Sequence, residues 1–148
     1  MSTSAVAPKP GVNIGKVARN TAITIVIASI VNVIIGLLAT SVFGVASTEL
    51  PMQIPVIIAA TVAYLIVAGI VFAVIASRGG NTRRTWTIVV VVALLLSFIP
   101  VLSLASGNTP PMPLPEGLTM NPTTGLLIAL SVMHIASAVV AWVVMPRD

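Results

Sequence analysis

Residues 21–41 read "TAITIVIASIVNVIIGLLATS", with no Asp, Glu, Lys or Arg among them. That length matches the roughly 20 apolar residues a helix needs to cross a hydrocarbon core of about 30 Å. Three further stretches qualify, at about 54–76, 85–104 and 124–145, and they too lack Asp, Glu, Lys and Arg. Across the chain 57% of residues are hydrophobic and 7% are charged. An average soluble domain carries about a quarter charged residues, so polar surface is too scarce here for a fold in water. The expected fold class is an all-α integral membrane protein: a four-transmembrane-helix bundle at residues 17–148, after a flexible tail at residues 1–16.

The loops set an expected orientation. Lys9, Lys16 and Arg19 precede the first span, Arg78, Arg83 and Arg84 lie between the second and third, and Arg147 follows the fourth. Glu49 and Glu116 fall in the other two loops. The positive-inside rule then places both termini in the cytoplasm of a bacterial inner-membrane protein. Trp86 and Trp142 sit near the same boundary and read as interfacial anchors. The first apolar run exceeds the roughly 7–15 residues of a signal-peptide core, so it reads as a retained anchor. "RGGN" at 78–81 predicts a tight turn making the second and third spans antiparallel neighbours. The loop "ASGNTPPMPLPEGLTMNPT" at 105–123 is proline-rich, and Pro110, Pro111, Pro113 and Pro115 favour an extended conformation on the extracytoplasmic side.

Zero cysteines exclude disulfides, thiolate metal sites and thiol redox chemistry. Helices in lipid associate through small residues and interhelical hydrogen bonds. On the first span Thr21, Ala28, Ser29, Asn32, Gly36, Ala39 and Thr40 form such a stripe. Gly36, then Gly69, Ala73 and Ser77, and on the last span Ser137 and Ala141, are the expected packing seam. The third span is bulkier, with an expected bend or break near Pro100. Each span also offers one hydrogen-bonding side chain near its midpoint: Asn32, Tyr64, Ser97 and His134. The expectation is a buried midplane layer of these four with Ser29 and Ser131, because an unpaired polar group is most unfavourable at that depth.

His134 is the only histidine. An intramembrane ionisable group is a functional candidate by default, as a ligand for metal, haem or chlorin or as a proton relay. The competing reading, preferred here, is a neutral imidazole hydrogen-bonded to Asn32 or a serine as helix glue. A relay lacks a carboxylate within any span, and bis-histidine haem needs a second histidine. No cofactor is expected; haem or chlorin at His134 is the alternative. Asn32 reads as a register-fixing amide. Coupled transport lacks its membrane carboxylate and paired broken helices. Arg78, Arg83 and Arg84 suit anionic lipid head groups or an acidic partner, although topology alone accounts for them. Met52, Met112 and Met120 make too sparse a set for a Cu(I) site. The chain shows no phosphate loop, triad or carboxylate pair, so it is not expected to be an enzyme.

"ASIVNVIIGLL" in the first span, "RRTWTIVVVVALLLSFIPVLSLA" entering the third and "LIALSVMHIASAVVAWVVMPR" in the last together resemble a bacterial four-span family, domain-of-unknown-function family 6069. The resemblance covers about residues 17–147. It implies a four-helix membrane protein with no established activity, and it marks Asn32, Arg84, Thr85, Met133 and His134 as the positions to test first. The resulting functional expectation is a non-enzymatic accessory, assembly or interaction subunit that acts through helix packing. Its expected partners are the lipid bilayer and a membrane protein or further copies of itself, with no nucleic acid. The alternative is a small-ligand, pigment or ion binding or transport protein using the polar layer around His134 and Asn32.

Overall fold

The computed structural model describes residues 12–107 and 114–147. It contains α1 (Ile14–Ser41), α2 (Ile54–Arg78), α3 (Thr82–Ala105) and α4 (Thr124–Val144), with a single 3₁₀ turn at Leu50–Met52. All four helices are long and apolar enough to cross a membrane. The protein is thus an all-helical multi-pass membrane protein whose surroundings are a lipid bilayer. Of the expected polyproline segment, Pro110, Pro111 and Pro113 lie outside the described residues, as do Lys9 and Asp148.

Three boundaries differ from the sequence reading. α1 starts at Ile14, because the Asn13 side chain accepts a hydrogen bond from the Lys16 amide at 3.0 Å and closes the first turn. The helix therefore reaches into the segment assigned to the tail. α3 continues through Pro100 to Ala105 without a break. Between α2 and α3 only Gly79, Gly80 and Asn81 remain; both glycines have positive φ, 73° and 84°, which L side chains adopt poorly. Asn81 then caps α3 by accepting from the Arg84 amide at 2.9 Å.

Neighbouring helices run antiparallel around the bundle. α1 and α4 form the central pair, α2 packs mainly on α1, and α3 packs mainly on α4. α2 and α3, expected as close neighbours, share the loosest edge. They meet near their common turn, where Phe72 and Trp86 stack edge to face with ring centroids 5.0 Å apart. Trp86 is only 1% exposed and its Nε1 donates to the Ala141 carbonyl at 3.3 Å, so it is a core residue of the α3–α4 contact and not an interfacial anchor. α3 presents a narrow inner stripe of Trp86, Val90, Leu94, Ser97, Val101 and Leu104 at steps of three or four. Its remaining surface is mostly exposed Val, Leu and Ile.

Two polar fasteners hold the α1–α4 pair at its ends. At the end carrying both termini, buried Asn20 donates through Nδ2 to the Met145 and Arg147 carbonyls at 3.2 and 2.9 Å. These are carbonyls that the end of α4 leaves without an intrahelical donor. At the opposite end the two loops clasp each other. The Leu50 amide donates to the Thr119 carbonyl and the Thr119 amide to the Thr48 carbonyl, both at 2.9 Å, making a parallel bridge between Glu49 and Thr119. Glu49, 2% exposed, accepts from the Asn121 amide at 2.8 Å and from Asn121 Nδ2 at 2.9 Å.

Close helix approach is set by two glycines. A Cβ at Gly69 would stand 2.5 Å from Thr21 Oγ1 and 2.7 Å from its Cγ2, while one at Gly36 would meet the flexible tip of Ile57 at 2.7 Å. Gly69→Ala is expected to destabilise the bundle by about 1–3 kcal/mol, more than Gly36→Ala, with Thr21→Ala restoring most of the loss. Reversible unfolding in mixed micelles measures both effects. Glu49→Ala is expected to strip hydrogen-exchange protection from the Leu50 and Thr119 amides while the four helices persist, because it removes two hydrogen bonds from a buried clasp.

Candidate functional site

α1 buries Asn20, Thr24, Ala28, Asn32 and Gly36, a row with a strict four-residue step, and then Ala39. Four residues turn a helix by 400°, so such a row drifts about 40° per step and can serve two neighbours along its length. At its middle, Asn32 (4% exposed) donates through Nδ2 to Thr61 Oγ1 of α2 at 3.0 Å and to Ser137 Oγ of α4 at 2.9 Å. Thr61 passes its own proton to the Ile57 carbonyl at 2.7 Å. One amide thus ties three helices. Asn32 Oδ1 and Ser29 Oγ are buried and receive no hydrogen bond.

A polar layer therefore exists, but its membership differs from the expected one. Asn32 belongs to it. Tyr64 does not: it is 72% exposed, on the outer flank of α2, because Thr61 one turn away takes the inward position and fits beside Asn32. Ser97 bonds to the Leu94 carbonyl at 2.7 Å and Ser131 to the Leu127 carbonyl at 2.8 Å, each within its own helix. Hydroxyls satisfied by the preceding turn have no need of a neighbouring helix. His134 does the same through Nδ1, 2.6 Å from the Leu130 carbonyl. Its half-buried ring lies 6.2 Å from the Phe98 ring of α3 and is bonded neither to Asn32 nor to a serine. Since a carbonyl only accepts, Nδ1 is the donor of this bond.

The packing seam is realised in part. Gly36 and Gly69 lie at close α1–α2 contacts, Ser137 joins the Asn32 hub, and the Ala141 carbonyl receives Trp86. Ala73 is half-buried, but Ser77 is exposed and bonds back to the Val74 carbonyl, so the α2 seam stops short of it. Arg78, Arg83 and Arg84 are exposed at the end carrying the termini. The Arg83 guanidinium lies 5.6 Å from the Trp142 ring centre, and Trp142 Nε1 donates to Thr87 Oγ1 at 2.9 Å. Met52 and Met120 pack into the apolar cluster at the loop end; Met112 lies outside the described residues. Among the described residues no three His, Asp or Glu side chains gather as metal ligands.

Reading residue types at the midpoints missed Thr61, Asn20 and Thr24. The usable signal was periodic. Asn20, Thr24, Ala28, Asn32 and Gly36 repeat every four residues, and Thr61 shares the row of Leu65 and Gly69 on α2.

No curated protein sequence and no solved structure matches the chain. One family model does match, over residues 12–110. That segment holds α1 to α3 with Asn32, Arg84 and Thr85, whereas Met133 and His134 of α4 lie beyond it. Over the greater part of its length the chain therefore belongs to a family of unknown function, DUF6069.

Proposed function

We propose that the protein is a non-enzymatic interaction subunit of the bacterial cytoplasmic membrane, with both termini in the cytoplasm, acting as an accessory or assembly partner through helix packing. The observation that carries this reading is how its polar side chains are used. Asn20, Asn32, Thr61, Ser137 and Trp86 each take part in a hydrogen bond that ties one helix to another or to the residues that end it. Meanwhile α3 is held along one stripe and offers a long apolar outer face. The orientation rests on charge: Lys16, Arg19, Arg78, Arg83, Arg84 and Arg147 cluster at one end, Glu49 and Glu116 at the other.

A second reading, a small-ligand site on His134, is favoured by one observation. The Nδ1–H bond to Leu130 engages one ring nitrogen and leaves Nε2 as the atom through which a neutral imidazole would ligate haem, a chlorin or a metal ion.

Tagged full-length protein extracted from bacterial membranes in mild detergent is expected to run as an assembly heavier than its own 15.2 kDa plus detergent, with no visible absorbance. A monodisperse monomer with no accompanying protein would overturn the interaction reading, and a visible chromophore lost in His134→Ala would install the ligand reading. Asn32→Ala is expected to lower unfolding stability by about 1–2 kcal/mol. A double-mutant cycle with Ser137→Ala should show strong coupling, since both substitutions break the same bond.

A further inference from the structure

Ser29 Oγ and Asn32 Oδ1 lack a hydrogen bond inside the bundle, whereas Tyr64 carries its polar group on the outside. Tyr64 lies ten residues into α2 from Ile54, about 15 Å along the helix axis, so its phenol stands near the middle of a hydrocarbon core about 30 Å thick. Tyrosine normally occupies the membrane–water boundary, where its hydroxyl is wet. Here the ring is 72% exposed on the outer surface, and its hydroxyl bonds to none of the described residues. A bare hydroxyl in lipid is strongly unfavourable, and from this depth the side chain cannot reach either interface.

Its position on the helix is specific. Tyr64, Ala68, Val71 and Ile75 form one row, at steps of four, three and four. The last three, like Val89 and Val90 of α3, pack against the cluster that contains Phe72 and Trp86. The row therefore leads to the α2–α3 edge where Phe72 meets Trp86. Near the turn that edge is closed. Further along, where Tyr64 sits, it is open: Ala60 and Ala63 on α2, and Ala93 and Pro100 on α3, are all exposed. The two alanines beside the ring leave room for another helix backbone to come close.

We propose that this open α2 flank is a self-association surface, on which a second copy of the chain docks so that the two Tyr64 hydroxyls hydrogen-bond to each other. The occupant follows from symmetry and chemistry. Two copies with the same membrane orientation pair about a two-fold axis along the bilayer normal, which brings equivalent residues to the same depth. A phenol both donates and accepts, so a Tyr64–Tyr64 pair satisfies one hydroxyl with the other and needs no further polar group from the partner. A different protein would have to supply its own polar side chain at that level. The proposal rests on the interaction reading above and names the partner for it.

The chain has no cysteine, so single-cysteine variants report cleanly. Ala60→Cys, which keeps Tyr64, is to be oxidised with copper phenanthroline in native membranes. Ile30→Cys, on the exposed face of α1, serves as the control. The expected result is a disulfide-linked species of twice the chain mass for Ala60→Cys and little for Ile30→Cys. With the cysteines absent, Tyr64→Phe should weaken self-association in vesicles about threefold to tenfold, read by energy transfer between labelled copies. Cross-linking no greater than the control, or undiminished association in Tyr64→Phe, would overturn the proposal. So would an Ala60→Cys adduct with a different protein, although that outcome leaves the interaction reading standing. Monomers with neither adduct would remove both.

Discussion

The Asn32 amide fixes how three of the four helices face one another. Its two protons go to two different helices, Thr61 on α2 and Ser137 on α4, so neither neighbour can rotate or slide without breaking a bond in a medium that offers no replacement. The hub also lies between two apolar clusters. One holds Ala39, Ile57, Ala129 and Met133; the other holds Ala28, Leu65, Phe72, Trp86 and Ala141. On α2 and α4 the hub residue stands one turn from members of both, and on α1 Asn32 stands one turn from Ala28 and two turns from Ala39. A ring of Leu and Val in lipid packs almost equally well in several registers, because burial from water is already complete. One amide between two clusters selects a single register among them.

The end fasteners complete that selection in a different direction. Asn20 holds the close of α4, and the Glu49–Asn121 clasp joins loops more than seventy residues apart in sequence. Between them they set axial position, whereas the hub sets rotation. α3 is tied to α4 by the Trp86 bond to Ala141 and the Thr87–Trp142 bond, both close to its start. From there to Ala105 it is held by one apolar stripe. The α2–α3 edge is correspondingly loose away from its turn, because apolar packing competes with lipid on nearly equal terms.

The spans were legible because each is an uninterrupted apolar run of the right length, a property that needs no knowledge of neighbours. Depth was legible for the same reason, since rise per residue is constant. Azimuth was not. Thr61 and Tyr64 are both polar, one turn apart and near the same level, and what separates them is that the smaller side chain fits against Asn32 on α1. That choice belongs to the pair of helices and not to α2. Ser97 and Ser131 misled for a related reason: a hydroxyl at mid-depth needs an acceptor, and its own preceding turn supplies one. Trp86 read as an anchor because its distance from the span's edge says nothing of Phe72 and Ala141 closing over it. The clasp left no local trace, as both of its strands are short pieces of loop.

A membrane-spanning chain with so few polar side chains can be read by asking which of them is left over once packing is accounted for. Asn20, Thr24, Thr61, Ser97, Ser131, Ser137 and Trp86 are all consumed within the bundle. His134 is half consumed, its Nδ1 bonded to the Leu130 carbonyl and its ring 6.2 Å from that of Phe98. That placement engages one ring nitrogen and gives α4 a polar contact that rotates with the helix, which suits packing as well as it suits ligation. Ser29 Oγ is left without a partner inside the bundle, whereas Tyr64 turns its whole polar capacity outward from the middle of an apolar helix. The logic that makes Asn32 a fastener within the chain makes Tyr64 a fastener between chains: in both, hydrocarbon supplies no competing partner, so the bond that forms is the one geometry allows.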